Sequence, residues 1–159
     1  MRIKKLFFNQ KMFFGNDGFT LLEVIIVVLI IGVLSGCALS FSGLINKHNL
    51  TNAALIIAQD IRLTQQLNLN QNGAYTILFD CSGERYFIKK GVAAYKTVKL
   101  PSGVDLVGTN FNYNELGFSP DGAPFKGGHL SVKNKNNHYL FVIVNPVIGR
   151  VRIDTKPPV

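Results

Sequence analysis

The chain has 159 residues, with 17 Lys and Arg against 9 Asp and Glu and a formal charge of +8. That length suits one domain plus an anchor and leaves no room for two full domains. Two cysteines, Cys37 in an apolar run and Cys81 in the polar remainder, speak against a disulfide framework.

The composition is uneven along the chain. Residues 1–18 are basic and partly apolar, and residues 19–45 are strongly apolar. From about residue 50 onward the chain resembles an ordinary soluble domain. Arg2, Lys4, Lys5 and Lys11 against Asp17 place +3 before Gly18, so +5 remains beyond it. Such a balance permits a polyanionic partner without demanding one.

From Val24 to Ile31 every residue is aliphatic, and the apolar pattern continues to Phe41. As a helix, Phe19–Phe41 is about 35 Å long, enough to cross a bilayer core. The lysines before it predict a cytoplasmic N-terminus with the bulk of the chain outside. Gly32, Ser35, Gly36 and Gly43 are places where such a helix can bend. Residues 46–70 then carry a helical period. Leu50, Ala54, Ile57 and Ile61 share one face, with Asn52, Gln59, Arg62 and Gln66 opposite. Gly73 is the expected stop.

Strands and turns follow. Ala74–Asp80 and Arg85–Lys89 read as a hairpin about Asp80-Cys81-Ser82-Gly83. Tyr95–Leu100, Val104–Gly108 and Tyr113–Phe118 are shorter strand candidates, and Ser119-Pro120-Asp121-Gly122 is a turn. His129–Lys133 and His138–Val144 form a second predicted hairpin across Asn134–Asn137. Leu140–Val144 is apolar on both faces, which predicts a central strand covered on both sides. In Gly149–Asp154, Val151 and Ile153 alternate with Arg150 and Arg152.

Glu23 is the anomaly in the apolar run. A carboxylate near the start of a membrane helix is costly and needs a partner. Packing against copies of the same helix supplies one, in the positive N-terminus of a neighbour. Gly18-Phe19-Thr20-Leu21-Leu22-Glu23 resembles the prepilin peptidase motif of type IV pilins, type II secretion pseudopilins and competence pilins. The resemblance implies cleavage after Gly18 and methylation of the new amine on Phe19. It also implies that Glu23 pairs with the N-terminal amine of an adjacent subunit. The 18-residue leader is longer than that of many major pilins, which leans toward a minor pilin or pseudopilin. Phe118-Ser119-Pro120-Asp121-Gly122, Gly127-Gly128 and Gly149-Arg150-Val151-Arg152 are similar to segments of the GspH/FimT family of minor pilins. That resemblance implies an α+β, pilin-like fold with a long N-terminal helix, membrane-spanning in its first half, packed on antiparallel β-sheets.

A rival signal lies further on. Leu34-Ser35-Gly36-Cys37 resembles a lipobox, which implies a lipoprotein cut before Cys37. Glu23 has no use in that arrangement, and the residues after Cys37 continue a helical pattern where a polar tether is usual.

Arg150 and Arg152 are expected on one face of a strand about 7 Å apart, with Lys156 following and Lys133 and Lys135 on a nearby hairpin. Paired guanidinium forks suit phosphate, and the Gly-Arg-Val-Arg segment looks like the arginine motif with which FimT-like pilins are thought to capture DNA. No aromatic stacking platform is expected beside them, so binding to double-stranded DNA would be salt-sensitive and independent of sequence. The competing account makes both arginines the solvated face of an edge strand.

His48, His129 and His138 are scattered without zinc-site spacing, and His129 and His138 are expected to meet, if at all, across a hairpin. Asp80, Glu84, Asp105 and Asp121 look like turn formers. The sequence gives no support for an enzyme, a cofactor or a metal. The expected organisation is a leader at 1–18, a transmembrane and assembly helix at 19–45, and a periplasmic pilin-like domain at 46–159. That domain divides into a helix continuation at 46–72 and a β domain at 73–159. The expected partners are other pilins or pseudopilins, prepilin peptidase, the bacterial inner membrane and, in the DNA-uptake alternative, double-stranded DNA. The expected destination is a pilus or pseudopilus.

Overall fold

The computed structural model describes residues 19–71 and 74–158, the side chains of 37–44 and 71 excepted. The leader, Gly18 and Gly73 therefore lie outside the described residues, as does the side chain of Cys37. The chain divides into two compact units, up to Leu39 and from Ser40 onward.

One helix, α1 (Leu21–Gln71), is followed by eight strands among the described residues: β1 (Tyr75–Asp80), β2 (Arg85–Lys90), β3 (Ala93–Lys99), β4 (Val104–Thr109), β5 (Glu115–Gly117), β6 (Gly128–Asn134), β7 (Tyr139–Val144) and β8 (Val151–Asp154). In the first unit α1 exposes its aliphatic side chains from Leu21 to Leu34. Among the described residues no helix is long and apolar enough to cross a membrane.

The second unit holds the whole described core. The strands form two four-stranded antiparallel sheets, ordered β3-β2-β1-β5 and β4-β6-β7-β8. The helix packs one face against them. Leu50, Ala54, Ile57 and Ile61 are all buried, as their spacing predicts, and Ala53 and Ala58 join them. Each large aliphatic among them contributes about 1.5–3 kcal/mol by burial. They meet Ile77, Phe79, Tyr86 and Ile88 of the first sheet and Val104, Leu130, Val132, Val142 and Val144 of the second.

The same helix face buries polar groups. Asp60 is 4% exposed. Its carboxylate accepts a 2.6 Å hydrogen bond from the Tyr86 hydroxyl and bonds of 2.7 and 2.9 Å from Lys96 Nζ. Burial, then the adjacent carboxylate, pushes the Tyr86 hydroxyl up, so it stays protonated and donates. One turn pair further on, Asn68 is also buried. Its Nδ2 donates to Tyr75 O at 2.8 Å and its Oδ1 accepts from Tyr75 N–H at 3.0 Å. That side-chain amide stands in for a neighbouring strand and ties the helix to the start of β1.

Several elements differ from the sequence expectation. β3 begins two residues before Tyr95 and ends before Leu100, which is buried beyond the strand end. Nearly all of β3 is exposed because it is an edge strand, so its alternation carries no signal. The strand expected over Tyr113–Phe118 shrinks to β5. Tyr113 and Asn114 take φ values of 55° and 57°, which no strand accommodates, and Asn112–Asn114 is a short 3-10 turn. β7 is central in its sheet, as expected, and its outer face is covered at Ile143, which is 8% exposed, but not at its start. Val142 and Val144 are buried inward, whereas Tyr139 is 41% exposed on the other face. The turn at Ser119 closes through Gly122 N–H donating to Ser119 O at 2.9 Å.

The buried carboxylate yields a stability prediction. Asp60→Ala leaves the Tyr86 hydroxyl buried without an acceptor, and it should cost about 3 kcal/mol in urea unfolding. Asp60→Asn keeps an acceptor and should cost about half of that. Lys96 is 42% exposed, so its loss contributes little to the difference.

Candidate functional site

Two places carry the residues singled out by the sequence. The first is the start of α1. Phe19 is 82% exposed. Glu23 N–H donates to Thr20 Oγ1 at 3.2 Å, and Val24 N–H donates to Thr20 O at 3.2 Å. Thr20 is therefore the helix N-cap, and Thr20-Leu21-Leu22-Glu23 has the spacing of a capping box. Glu23 lies in the first turn, where the helix dipole favours a negative charge. Its exposed carboxylate has no hydrogen-bond or ion-pair partner among the described residues. Thr-x-x-Glu is the sequence signature of that cap.

The second place is built by the β7–β8 connection. Asn145 Oδ1 accepts from Val147 and Ile148 N–H at 2.9 and 3.2 Å. The Asn145 N–H donates to Arg150 O, and the Gly149 N–H to Asn145 O, both at 3.0 Å. Gly149 turns the chain with φ 67°, where a Cβ would also meet Gly122 O at 2.9 Å. Arg150 emerges at the end of this loop, and Arg152 follows within β8. Val151, between them, is buried and its carbonyl accepts from Arg62 Nη2 at 3.1 Å. Arg150 is thus not part of the strand, contrary to expectation, because the loop continues to it.

Both arginines nevertheless line one cleft of about 790 Å³, together with Asn110, His129 and Asn145. Strand register brings them together: Arg152 is opposite Ile143, and Ile143 is opposite His129. His129 N–H donates to Asn110 Oδ1 at 2.6 Å. His129 Nδ1 is buried and has no partner among the described residues. No carboxylate is among the residues lining the cleft. Asp154 Oδ1 instead accepts from the backbone N–H groups of Thr155 and Lys156 at 2.7 and 3.2 Å. The cleft is therefore a concave site with two permanent positive charges and several neutral polar groups.

The other basic residues are placed elsewhere. Lys156 is exposed in the tail and does not line the cleft. Lys133 lies at the opposite end of β6 from His129 and faces Asp105 at 3.8 Å. Lys135 lies against Gly103. His129 and His138 do not meet, since β6 and β7 hold them at opposite ends of the hairpin. β8 is an edge strand, as the competing account of its arginines requires. Asn110, His129 and Asn145 were missed from sequence because only the pairing of β4, β6 and β7 brings them together.

The first 25 residues of the apolar region and its approach, residues 14–38, match the family model of the prokaryotic N-terminal methylation motif. No curated protein matches the chain. Among solved structures, the fold is similar to the minor pseudopilin EpsH of the type 2 secretion system of Vibrio cholerae, with a TM-score of 0.54 and 15% identity over 67% of this chain and 96% of that one. It is also similar to the type IV minor pilin FimU of Pseudomonas aeruginosa, with a TM-score of 0.57 and 16% identity over 70% of this chain and 94% of that one. A second crystal form of FimU gives a TM-score of 0.56. The fold is that of minor pilins and pseudopilins. The methylation motif lies at the start of the chain that carries this fold.

Close packing beside the cleft gives a prediction. A Cβ on Gly127 would lie 2.5 Å from Pro146 Cα. Gly127→Ala should therefore push the β7–β8 loop away and cost about 1–3 kcal/mol, read as a lowered thermal midpoint.

Proposed function

We propose that the protein is a structural subunit of a type IV pilus or a type II secretion pseudopilus. In this reading prepilin peptidase cuts after Gly18 and Phe19 is methylated. The apolar first part of α1 holds the chain in the bacterial inner membrane with residues 46–159 in the periplasm. Assembly then moves the helix into a filament of other pilins or pseudopilins. The observation that carries this reading is the methylation motif running directly into a capped helix with Glu23 in its first turn. A carboxylate exposed in that apolar run is costly in lipid, and the amine of a neighbouring Phe19 offsets the cost. The lipoprotein alternative is disfavoured because Leu34–Cys37 lies inside α1, where a lipoprotein would have a flexible tether.

The DNA-uptake reading is a second possibility, favoured by one observation. Arg150 and Arg152 line the same cleft, free of carboxylates. Two guanidinium groups there can hold adjacent phosphates of a DNA backbone. Lys156, outside the cleft, is at most a peripheral contact.

Each part has its test. In cells, mass spectrometry should find a methylated Phe19 at the mature N-terminus; a lipid on Cys37 would instead support the lipoprotein. Glu23→Ala should still be processed but should fail to enter filaments, and normal incorporation would remove its pairing role. For DNA, Arg150→Ala with Arg152→Ala should lower the slope of log affinity against log salt by about 2 and weaken duplex binding roughly tenfold at low salt. Unchanged binding would end the DNA reading.

A further inference from the structure

The outer face of the second sheet carries an aromatic row that continues from the arginine cleft. Along β7 the inward residues Leu140, Val142 and Val144 face the core. Tyr139, Phe141 and Ile143 therefore face outward. Across the register, Ile143 is beside His129 and Arg152, Phe141 is beside Ser131 and Asp154, and Tyr139 is beside Lys133. The Tyr139 and Phe141 rings lie 6.4 Å apart and nearly parallel, at 16°. The His129 and Phe141 rings lie 6.0 Å apart. Three rings thus run down the two central strands, from the exposed Tyr139 to the cleft wall at His129. At the cleft end stand Arg150 and Arg152.

A duplex hides its base faces inside its stack, so it has no use for exposed rings. A single strand presents both its phosphates and its bases. A four-stranded sheet with aromatic residues on the outer face of its central strands, here the exposed Tyr139 and the half-buried Phe141 and His129, is a physical solution to that ligand, because a ring can accept the face of any base. The occupant of this face is also constrained by charge. Asp105 is engaged with Lys133, and Asp154 is turned to the backbone of the tail. Asp154, beside Phe141, keeps its charge, so the two guanidinium groups outnumber one remaining carboxylate and leave the face net positive, which suits a polyanion.

We propose that this face binds single-stranded nucleic acid, with phosphate held in the Arg150–Arg152 cleft and bases stacked on Phe141 and Tyr139. The proposal rests on the DNA-contact reading of the two arginines and replaces its duplex ligand by a single strand. His129 forms the junction, its ring in an edge-type contact with Phe141 and the residue in the cleft wall.

Fluorescence anisotropy tests it, using the full chain in detergent micelles with labelled oligothymidylate and a duplex of equal length at matched salt. Leader lysines are present in every variant and cancel in the comparison. The single strand should bind more tightly than the duplex. Tyr139→Ala and Phe141→Leu should each weaken the single strand roughly five- to hundredfold while leaving the duplex within about twofold. Phe141→Leu keeps apolar volume in the sheet, and Tyr139 is exposed, so neither change should disturb the fold. Arginine variants should weaken both ligands. If the arginine variants act but the ring variants do not, or if they weaken both ligands equally, stacking is overturned and the backbone contact survives. If the arginine variants change neither ligand, the DNA-contact reading itself falls, and this proposal with it. Ring variants that impair filament entry without changing oligonucleotide affinity would assign the face to a neighbouring pilin and overturn the proposal.

Discussion

Asp60 is the constraint on which the second unit turns. A carboxylate on the buried face of a helix is unfavourable unless its lone pairs are used. Here one carboxylate accepts from Tyr86 on β2 and Lys96 on β3. Aliphatic packing alone lets a helix slide or rotate over a sheet at modest cost, whereas these bonds have one geometry. Asn68, paired with the backbone of Tyr75, adds a second fixed point two turns further along. Together they set the helix against the first sheet, and the second sheet closes over the remaining apolar face.

The second sheet owes its order to another buried amide. Asn134 is 1% exposed, and its Oδ1 accepts from the N–H groups of Asn136 and His138, both at 3.0 Å. This fixes the β6–β7 turn and hence the register of the hairpin. Register decides the outer surface here, because a slip of one residue would turn His129 and Phe141 into the core and Leu130 and Val142 outward. The cleft and the aromatic row both follow from that alignment. Gly127 and Gly128 then let the neighbouring loops approach closely enough to shape the cleft wall.

The two units answer to different demands. The start of α1 has a cap and an exposed carboxylate, with an exposed aromatic just before it. The second unit holds one core shared by the helix and both sheets. The proteins of similar fold include both a secretion pseudopilin and a pilus minor pilin. A shared fold does not decide function, so the identity of any contact must be sought in exposed side chains.

The sequence by itself determined what depends on near neighbours along the chain. The Gly18–Glu23 segment carried the methylation motif, and the spacing of Leu50, Ala54, Ile57 and Ile61 defined the helix face. Alternation and turn residues located most strands, though β3 and β5 were blurred where exposure or positive φ removed the pattern. The outward aromatic row was passed over because apolar residues on both faces of β7 looked like double burial. Only the tertiary structure decided the division into two sheets, the partners of Asp60, and the meeting of Arg150 and Arg152 with His129 and Asn110. Those facts depend on pairings between residues far apart in sequence, and local periodicity carries no information about which strand lies beside which.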